Sequence, residues 1–508
     1  MFMVDRFDFE DLFVLDLANN HQGQLEHGRS IVRQAGEVVR KNNIRAGLKF
    51  QFRQLDTFIH PAHQRGSVAK QIDRFLSTQL TRDEFQKLFE EVNKQGMQTI
   101  CTPFDEGSVD VIDDMGFDII KVASCSARDW PLLEKISSVH LPVIFSTGGL
   151  SLVDIDNLVS FFEHRGNDFA IMHCVSIYPI PDENFQLNQI GKLIERNPNR
   201  VIGWSTHEDP DATVPVCMAV AKGARMFERH IGVETQDIKL NAYSSTPHQL
   251  DLWLKSWRHA RTLCGAEERP PATDVEKKSL DSLRRGVYAR KRIRAGQKLA
   301  SDLVYFAMPY VDGQLESGRW NGNLCAEDTV DADEPVLASD SLGAAVLEIA
   351  IIKQAVHEVR GMLNEARVHL NSNFAVEYSH HYGISRFRDV GAIIVECFNR
   401  EYCKKIIIQL PGQIHPSHFH TKKEETFQVL HGILKTEVDG HEYLLNPGET
   451  ILIQRGVWHS FWTETGVIFE EISTSDHSGD STYRDKAINA LQRSERKTVV
   501  DHWGRFQI

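Results

Sequence analysis

Over about the first 265 residues, short β-branched and aromatic runs alternate with longer stretches whose apolar residues recur at helical spacing. The runs that predict strands are 13–18, 46–51, 98–102, 118–123, 142–147, 168–174, 201–205 and 225–230. Between them lie helical stretches such as 25–39, 82–94, 152–162 and 212–222. Eight βα units in one run of this length predict a closed parallel (β/α)8 TIM barrel. A doubly wound sheet of eight strands is the alternative.

The pattern then changes. Residues 267–278 are polar and contain Arg269-Pro270-Pro271-Ala272-Thr273-Asp274, which reads as a linker. Residues 279–342 show short strands and turns, a small second domain. Residues 344–367 return to helical spacing and predict a connecting helix. From 374 to 474 the chain is strand-rich, with turns at Pro411-Gly412, Asp439-Gly440 and Pro447-Gly448, which predicts an all-β barrel or jelly roll. The charged last 25 residues predict a helix. The expected division is therefore 1–268, 279–342, a linker helix 343–370, 371–485 and a tail 486–508.

Composition narrows the class. The apolar fraction of 41% and charged fraction of 25% exclude a disordered chain, a collagen and a small disulfide scaffold. No apolar run reaches the ~18–20 residues of a membrane span, and the first residues read as no secretory signal. A formal charge of −13 disfavours nucleic acid as a partner. Eight cysteines without a CxxC pair suit a reduced compartment. A cytoplasmic protein without membrane or nucleic-acid partners is expected. The 23 histidines, many in short polar clusters, direct attention to metals.

The C-terminal ends of the predicted barrel strands carry polar residues: Asp16 with Asn19-Asn20-His21, Lys49 with Gln51, Thr102, Lys121 with Ser124, Ser146-Thr147, His173 to Ser176, Ser205-Thr206-His207 and Glu228-Arg229-His230. Barrel enzymes place their chemistry at this face. Two lysines with several hydroxyls suit a phosphate and a carboxylate, and two histidines on adjacent strand ends suit a divalent metal.

The runs Asp16-Leu17-Ala18-Asn19-Asn20-His21-Gln22-Gly23, Leu48-Lys49-Phe50-Gln51, Thr102-Pro103-Phe104, Ile120-Lys121-Val122-Ala123-Ser124, Ser146-Thr147-Gly148, Tyr178-Pro179, Ile202-Gly203-Trp204-Ser205-Thr206-His207 and Glu228-Arg229-His230 resemble, in order and spacing, the sialic acid (N-acetylneuraminate) synthase family. Val287-Tyr288-Ala289-Arg290-Lys291-Arg292-Ile293 looks like the start of the antifreeze-like (SAF) domain that follows the barrel in that family. The resemblance covers residues 10 to about 342. It implies a homodimeric transferase that condenses phosphoenolpyruvate with an amino- or deoxy-sugar aldehyde, giving a nonulosonic acid for carbohydrate biosynthesis. It implies Asp16, Lys49, Lys121, His207 and His230 as catalytic. Lys49, Thr102, Lys121, Ser124 and Ser205 would hold phosphoenolpyruvate, with Asn20, Gln51, Ser126, Thr147 and Ser176 as further substrate-binding positions. His207 and His230 would bind manganese or magnesium. The chain departs from the family at Asp16 (usually Glu), Ser126 and Leu240 (usually acids), Ser176 (usually Asn, on the phosphoenolpyruvate side) and Met308 (usually Arg). The donor side is mostly retained and the acceptor side mostly changed, which implies a different acceptor. A degenerate barrel that only binds sugar is the rival reading.

The sharpest local motif lies further on: Gly412, then His418-Phe419-His420, Glu425 and Gly432, followed by Gly448, Gly456 and His459. Residues two apart on a strand share a face, so His418 and His420 point together. With Glu425 and His459 from other strands they form a three-imidazole, one-carboxylate set suited to Mn, Fe, Ni or Zn. This is the spacing of a cupin, and Lys423-Glu424-Glu425-Thr426-Phe427 with Glu470-Glu471-Ile472-Ser473 resembles sugar cupins of the D-lyxose isomerase type. A metal-free cupin, and an isomerase acting through this domain, are the alternatives. His415 and His431 flank the motif and read as solvated.

Overall fold

The computed structural model describes residues 6–64, 70–338, 348–370 and 374–501, and it divides into two compact units, Met1–Pro270 and Pro271–Ile508. In the first, eight parallel strands close into a barrel: β1 (Leu12–Asp16), β2 (Arg45–Phe52), β3 (Gln98–Pro103), β4 (Ile119–Val122), β5 (Val143–Ser146), β6 (Phe169–Cys174), β7 (Ile202–Thr206) and β8 (Met226–His230). β8 pairs with β1, which removes both edges and with them the doubly wound alternative.

Strand alternation sorts two cores. Leu12, Val14, Ile100, Ile119, Ile144, Ala170, Met172 and Met226 pack together as the barrel interior. Their neighbours of opposite parity, such as Phe13, Leu15, Ile120, Phe145, Ile171 and Phe227, pack in the larger core beneath the helices. Two interior positions are glycine for lack of room: a Cβ on Gly47 would lie 2.5 Å from Ile100 Cδ1, and one on Gly203 2.7 Å from the Met226 carbonyl oxygen. The helices form where the spacing predicts them. Arg82–Lys94 and Leu152–Arg165 each start with a capping box, Thr81 with Glu84 and Ser151 with Asp154, which satisfies orphan amides of the first turn.

In the second unit, the expected linker 267–278 turns out to contain part of a helix, Asp274–Asp281, because Thr273 accepts from the Glu276 amide and caps it. Two antiparallel strands follow, β9 (Gly286–Ala289) and β10 (Val304–Ala307), around a small core of Val287, Ile293, Leu299, Leu315 and Val336. The stretch 339–347, which spans the expected end of this domain and the start of the connecting helix, lies outside the described residues, as do 371–373 and 502–508.

The jelly roll comprises β11 (Ala375–Ser379), β12 (Ala392–Asn399), β13 (Tyr402–Gln409), β14 (Ile414–His420), β15 (Glu425–Gly432), β16 (Leu434–Val438), β17 (His441–Leu445), β18 (Thr450–Ile453), β19 (His459–Trp462), β20 (Val467–Thr474), β21 (Ser481–Tyr483) and β22 (Lys497–Asp501). One sheet has the order β18-β15-β20-β13-β12-β11-β22 and the other β17-β16-β19-β14-β21. The Asp439-Gly440 turn holds as expected: both residues have positive φ, 51° and 80°, the form that matches strand twist in a two-residue hairpin.

Two expectations at the domain's borders change. The helix Glu348–Glu365 is more than a connector, since Ile352, Ala355, Val356, Val359 and Leu363 pack against Val376, Tyr378, Ile393 and Ile408 of the jelly roll. The tail is not one helix. It forms two short turns, Lys486–Ala490 and Arg493–Arg496, and then β22, which pairs antiparallel with β11. Its alternating Thr498, Val499 and Val500 suit an edge strand, and the exposed charges before them disguise it.

Candidate active site and metal centre

The interior parity that carries Leu12, Ile119 and Met226 continues upward into polar residues. Asp16, Lys49, Gln51, Thr102, Lys121, Ser146, Cys174, Ser205, His207, Glu228 and His230 all line one cavity of about 640 Å³. The parallel register sets Asp16 opposite Lys49 on one side and His230 on the other. Lys49 Nζ lies 2.9 Å from Asp16 Oδ2 and donates to Glu228 Oε1 at 2.5 Å. Lys121 Nζ lies 3.2 Å from Glu228 Oε2 and donates to Ser146 Oγ at 2.6 Å.

These charges are buried, and their environments differ. Burial acts to lower the Lys49 ammonium, but Asp16 and Glu228 outweigh it and hold it above its ordinary value. Burial prevails at Lys121 and pushes it down. Glu228 is disfavoured by burial, yet Lys121 and Lys49 keep it well below the usual carboxylate range. Burial, then the neighbouring His230, lowers His207 to about 3, and burial also lowers His230. Both imidazoles are therefore neutral near pH 7, their ring centroids are 5.2 Å apart, and the Nδ1 atom of each is buried without a hydrogen-bond partner. His230 Nε2 lies 3.3 Å from Asp16 Oδ2. Tyr178 and Tyr243 wall the pair, with centroids 4.1 Å from His207 and 5.2 Å from His230 respectively. Two neutral imidazoles with orphaned nitrogens beside a carboxylate would suit a divalent ion.

Ser124 and Ser176 also line the cavity, completing ten of the thirteen barrel positions expected from the sequence. Three do not line it. Asn20 is buried and its Nδ2 donates to the Ile231 carbonyl at 2.7 Å and Ser244 Oγ at 3.0 Å, tying the loop after β1 to the chain after β8. Thr147 follows Ser146, so it has the outward parity, and its Oγ1 donates to the Met172 carbonyl. Ser126 is buried in a 3-10 turn beside Cys125. Asn241 lines the cavity, while its neighbour Leu240 packs near Gly232. Met308 is an exposed residue of the second unit. The residue that the sequence left without a role is Glu228. Its parity with Met226 and His230 is the signal that marks it as inward-facing.

In the jelly roll, His418, His420, Glu425 and His459 converge as predicted, each buried, with one ligand atom per residue all within 4.8 Å of one another. β14 and β19 bring His418 and His459 together as direct cross-strand partners, while Glu425 comes from β15 of the other sheet. His418 Nδ1 donates to the Pro416 carbonyl at 3.0 Å and His459 Nδ1 to the Val457 carbonyl at 3.1 Å, which turns both Nε2 atoms inward. His459 Nε2 lies 2.9 Å from Glu425 Oε1 without hydrogen-bond geometry, an arrangement an ion would satisfy. Burial holds His418 far below its ordinary value and His420 down to about 4, so both offer lone pairs. Lys423 Nζ bridges Glu425 at 2.7 Å and Glu471 at 2.8 Å. His415 is not solvated as expected. It is buried, with Nε2 3.1 Å from His381 Nε2 and its ring stacked on Phe461. The surrounding cavity is only about 80 Å³.

A closed parallel barrel whose strand ends converge buried lysines, carboxylates and imidazoles belongs to the (β/α)8 enzymes. Comparison sharpens this class: the NeuB family model matches residues 43–269, and a cupin-domain model matches 406–470. An uncharacterized protein of Methanocaldococcus jannaschii is 30% identical over 292 residues, covering 57% of this chain and 82% of its own length. The N,N'-diacetyllegionaminic acid synthase of Legionella pneumophila is 26% identical over 307 residues, covering 57% of this chain and 83% of its own. A crystal structure described as spore coat polysaccharide biosynthesis protein E from Chromobacterium violaceum is 43% identical, with a TM-score of 0.62, covering 65% of this chain and 98% of its own. The chain belongs to the NeuB family, and its barrel is that of a sialic acid synthase-type transferase fused to a cupin.

Proposed function

We propose that the barrel condenses phosphoenolpyruvate with an aldehyde sugar to give a nonulosonic acid. The observation that carries this reading is the placement of Lys49, Lys121 and Glu228 in the same cavity as the neutral pair His207 and His230. The two ammonium groups, with the hydroxyls of Thr102, Ser124 and Ser205, would hold the donor's phosphate and carboxylate. Carbon 3 of the donor bonds to the aldehyde carbon, whose oxygen takes up a proton. Water adds at carbon 2, and loss of inorganic phosphate leaves the 2-keto acid. His207 and His230 would hold a manganese or magnesium ion, which supplies Lewis-acid polarisation of the acceptor carbonyl. Asp16 Oδ2, which faces both Lys49 and His230, would take the proton of the attacking water. The legionaminic acid synthase among the relatives supports this reaction class.

The segment 279–342 is read as the SAF domain, the working unit as a homodimer and the location as cytoplasmic. The cupin is read as holding its own transition metal and preparing or sensing a sugar on the same route. Its cavity, far smaller than that of the barrel, favours the barrel as the principal catalytic site. Mass spectrometry of products from phosphoenolpyruvate and a panel of hexosamine aldehydes tests the reaction. A nonulosonic acid with one phosphate released per product is expected, and His207→Ala should abolish both. Undiminished turnover of that variant would overturn the assignment.

A further inference from the structure

Arg53 stands directly above the end of β2, two residues beyond Gln51, and lines the barrel cavity. Its guanidinium lies over Phe104 at 3.6 Å and over Phe75 at 4.1 Å, so two aromatic rings hold its plane. Nη2 donates to Gln51 Oε1 at 3.1 Å, and Gln51 Nε2 in turn reaches Asp16 Oδ2 at 3.4 Å. This chain of contacts fixes the guanidinium relative to the lysine and histidine cluster. Arg53 Nε is buried with no hydrogen-bond partner, and no carboxylate pairs with the side chain among the described residues. Burial lowers the group only to about 10, so it stays cationic at neutral pH.

Buried Arg229 provides the contrast. It also lies over an aromatic ring, Trp253, but its Nη1 is paired with Glu208 at 2.8 Å and its Nη2 donates to the Pro210 carbonyl. A guanidinium clamped between two aromatic rings, lining a cavity and without a carboxylate partner among the described residues, is a half-made anion site. Arg74, on the helix Lys70–Ser77, lines the same cavity and likewise has no carboxylate partner among the described residues. Asn241, which lines the cavity, adds no negative charge, whereas Lys49 and Lys121 are read as holding the donor.

We propose that Arg53, with Arg74, binds an anionic group, phosphate or carboxylate, carried by the acceptor sugar. The proposal rests on the condensation reading and names its substrate class. A cavity of about 640 Å³ has room for phosphoenolpyruvate and such an acceptor together.

Equilibrium binding decides it separately from turnover. Calorimetry on the full chain would compare hexose and hexosamine aldehydes with their 6-phosphates and 6-carboxylates, with phosphoenolpyruvate as a separate ligand. Anionic members should bind at least tenfold tighter than their neutral counterparts. Arg53→Gln should erase that preference, exposed Arg74→Gln should reduce it, and each should change phosphoenolpyruvate affinity less than twofold. Equal binding of neutral and anionic members, no binding by any member, or a loss confined to phosphoenolpyruvate in Arg53→Gln would overturn the proposal, the last outcome assigning Arg53 to the donor. Phosphate release, measured in parallel, tests the condensation reading: charge-selective binding without release would sink that reading and leave the anion site standing.

Discussion

Glu228 bridges the two buried lysines of the barrel, with Oε1 2.5 Å from Lys49 Nζ and Oε2 3.2 Å from Lys121 Nζ. Without that carboxylate, two buried ammonium groups would face the same cavity with one counter-charge fewer. Breaking one partner of a buried pair costs about 3–5 kcal/mol, because a charge is left uncompensated. Glu228→Gln should therefore lower unfolding stability by an amount of that order in a denaturant titration. Saturating phosphoenolpyruvate, an anion, should restore part of the loss by binding only the folded form. Unchanged stability would mean that the lysines find other counter-charges.

Gly148 packs against the hydroxyls assigned to the donor. Its amide donates to Ser124 Oγ at 3.0 Å, and a Cβ there would lie 2.3 Å from Ser176 Oγ and 2.7 Å from Ser124 Oγ. Gly148→Ala should displace both hydroxyls while the barrel stays folded, since each sits at the end of a rotatable side chain. Steady-state kinetics should show a KM for phosphoenolpyruvate raised roughly tenfold, equal to one lost hydrogen bond of about 1.4 kcal/mol. An unchanged KM would remove Ser124 and Ser176 from the donor site.

The cupin tetrad should hold its own ion. Elemental analysis of the full chain, purified without chelator, should find one more transition-metal equivalent than in the His418→Ala/His420→Ala variant. The barrel pair is common to both proteins, so the difference reports the cupin alone. Equal metal content would reject the site.

Acid should destabilise the metal-free protein well above the carboxylate range. Burial lowers His21 and His420 to about 4 and His207 and His381 to about 3, against 6.5 for the free side chain. Above pH 6.5 both folded and unfolded forms hold these rings neutral, and the pH dependence from them vanishes. As pH falls from 6.5 toward the folded values, the unfolded chain takes up protons that the folded one refuses, and stability drops by about 1.4 kcal/mol per pH unit for each ring. Thermal melting in chelator between pH 7 and 5 should show a steep decline in Tm. A flat profile would show that the rings are solvated.

Much of this molecule was legible in local pattern. The eight β-branched runs and the Asp439-Gly440 turn each depend on residues a few positions apart, so sequence alone placed them. The cupin ligands were equally legible, because His418 and His420 share a strand face by the period of the pleat and Glu425 and His459 follow at fixed spacing. Parity would also have separated Glu228 from Thr147, since every interior barrel position repeats at two residues from Met226 or Ile144. What the sequence could not decide depended on distant partners. Barrel closure required β8 to meet β1, and only that register sets His230 and Lys49 on either side of Asp16. The burial of His415 required His381 from the turn after β11 and Phe461 from β19, and the edge strand Lys497–Asp501 formed because β11 offered unpaired backbone groups. Arg53 belongs to none of the motifs read from the sequence. Phe75 and Phe104, brought over it by tertiary packing, make it a half-buried cation clamped at the cavity wall.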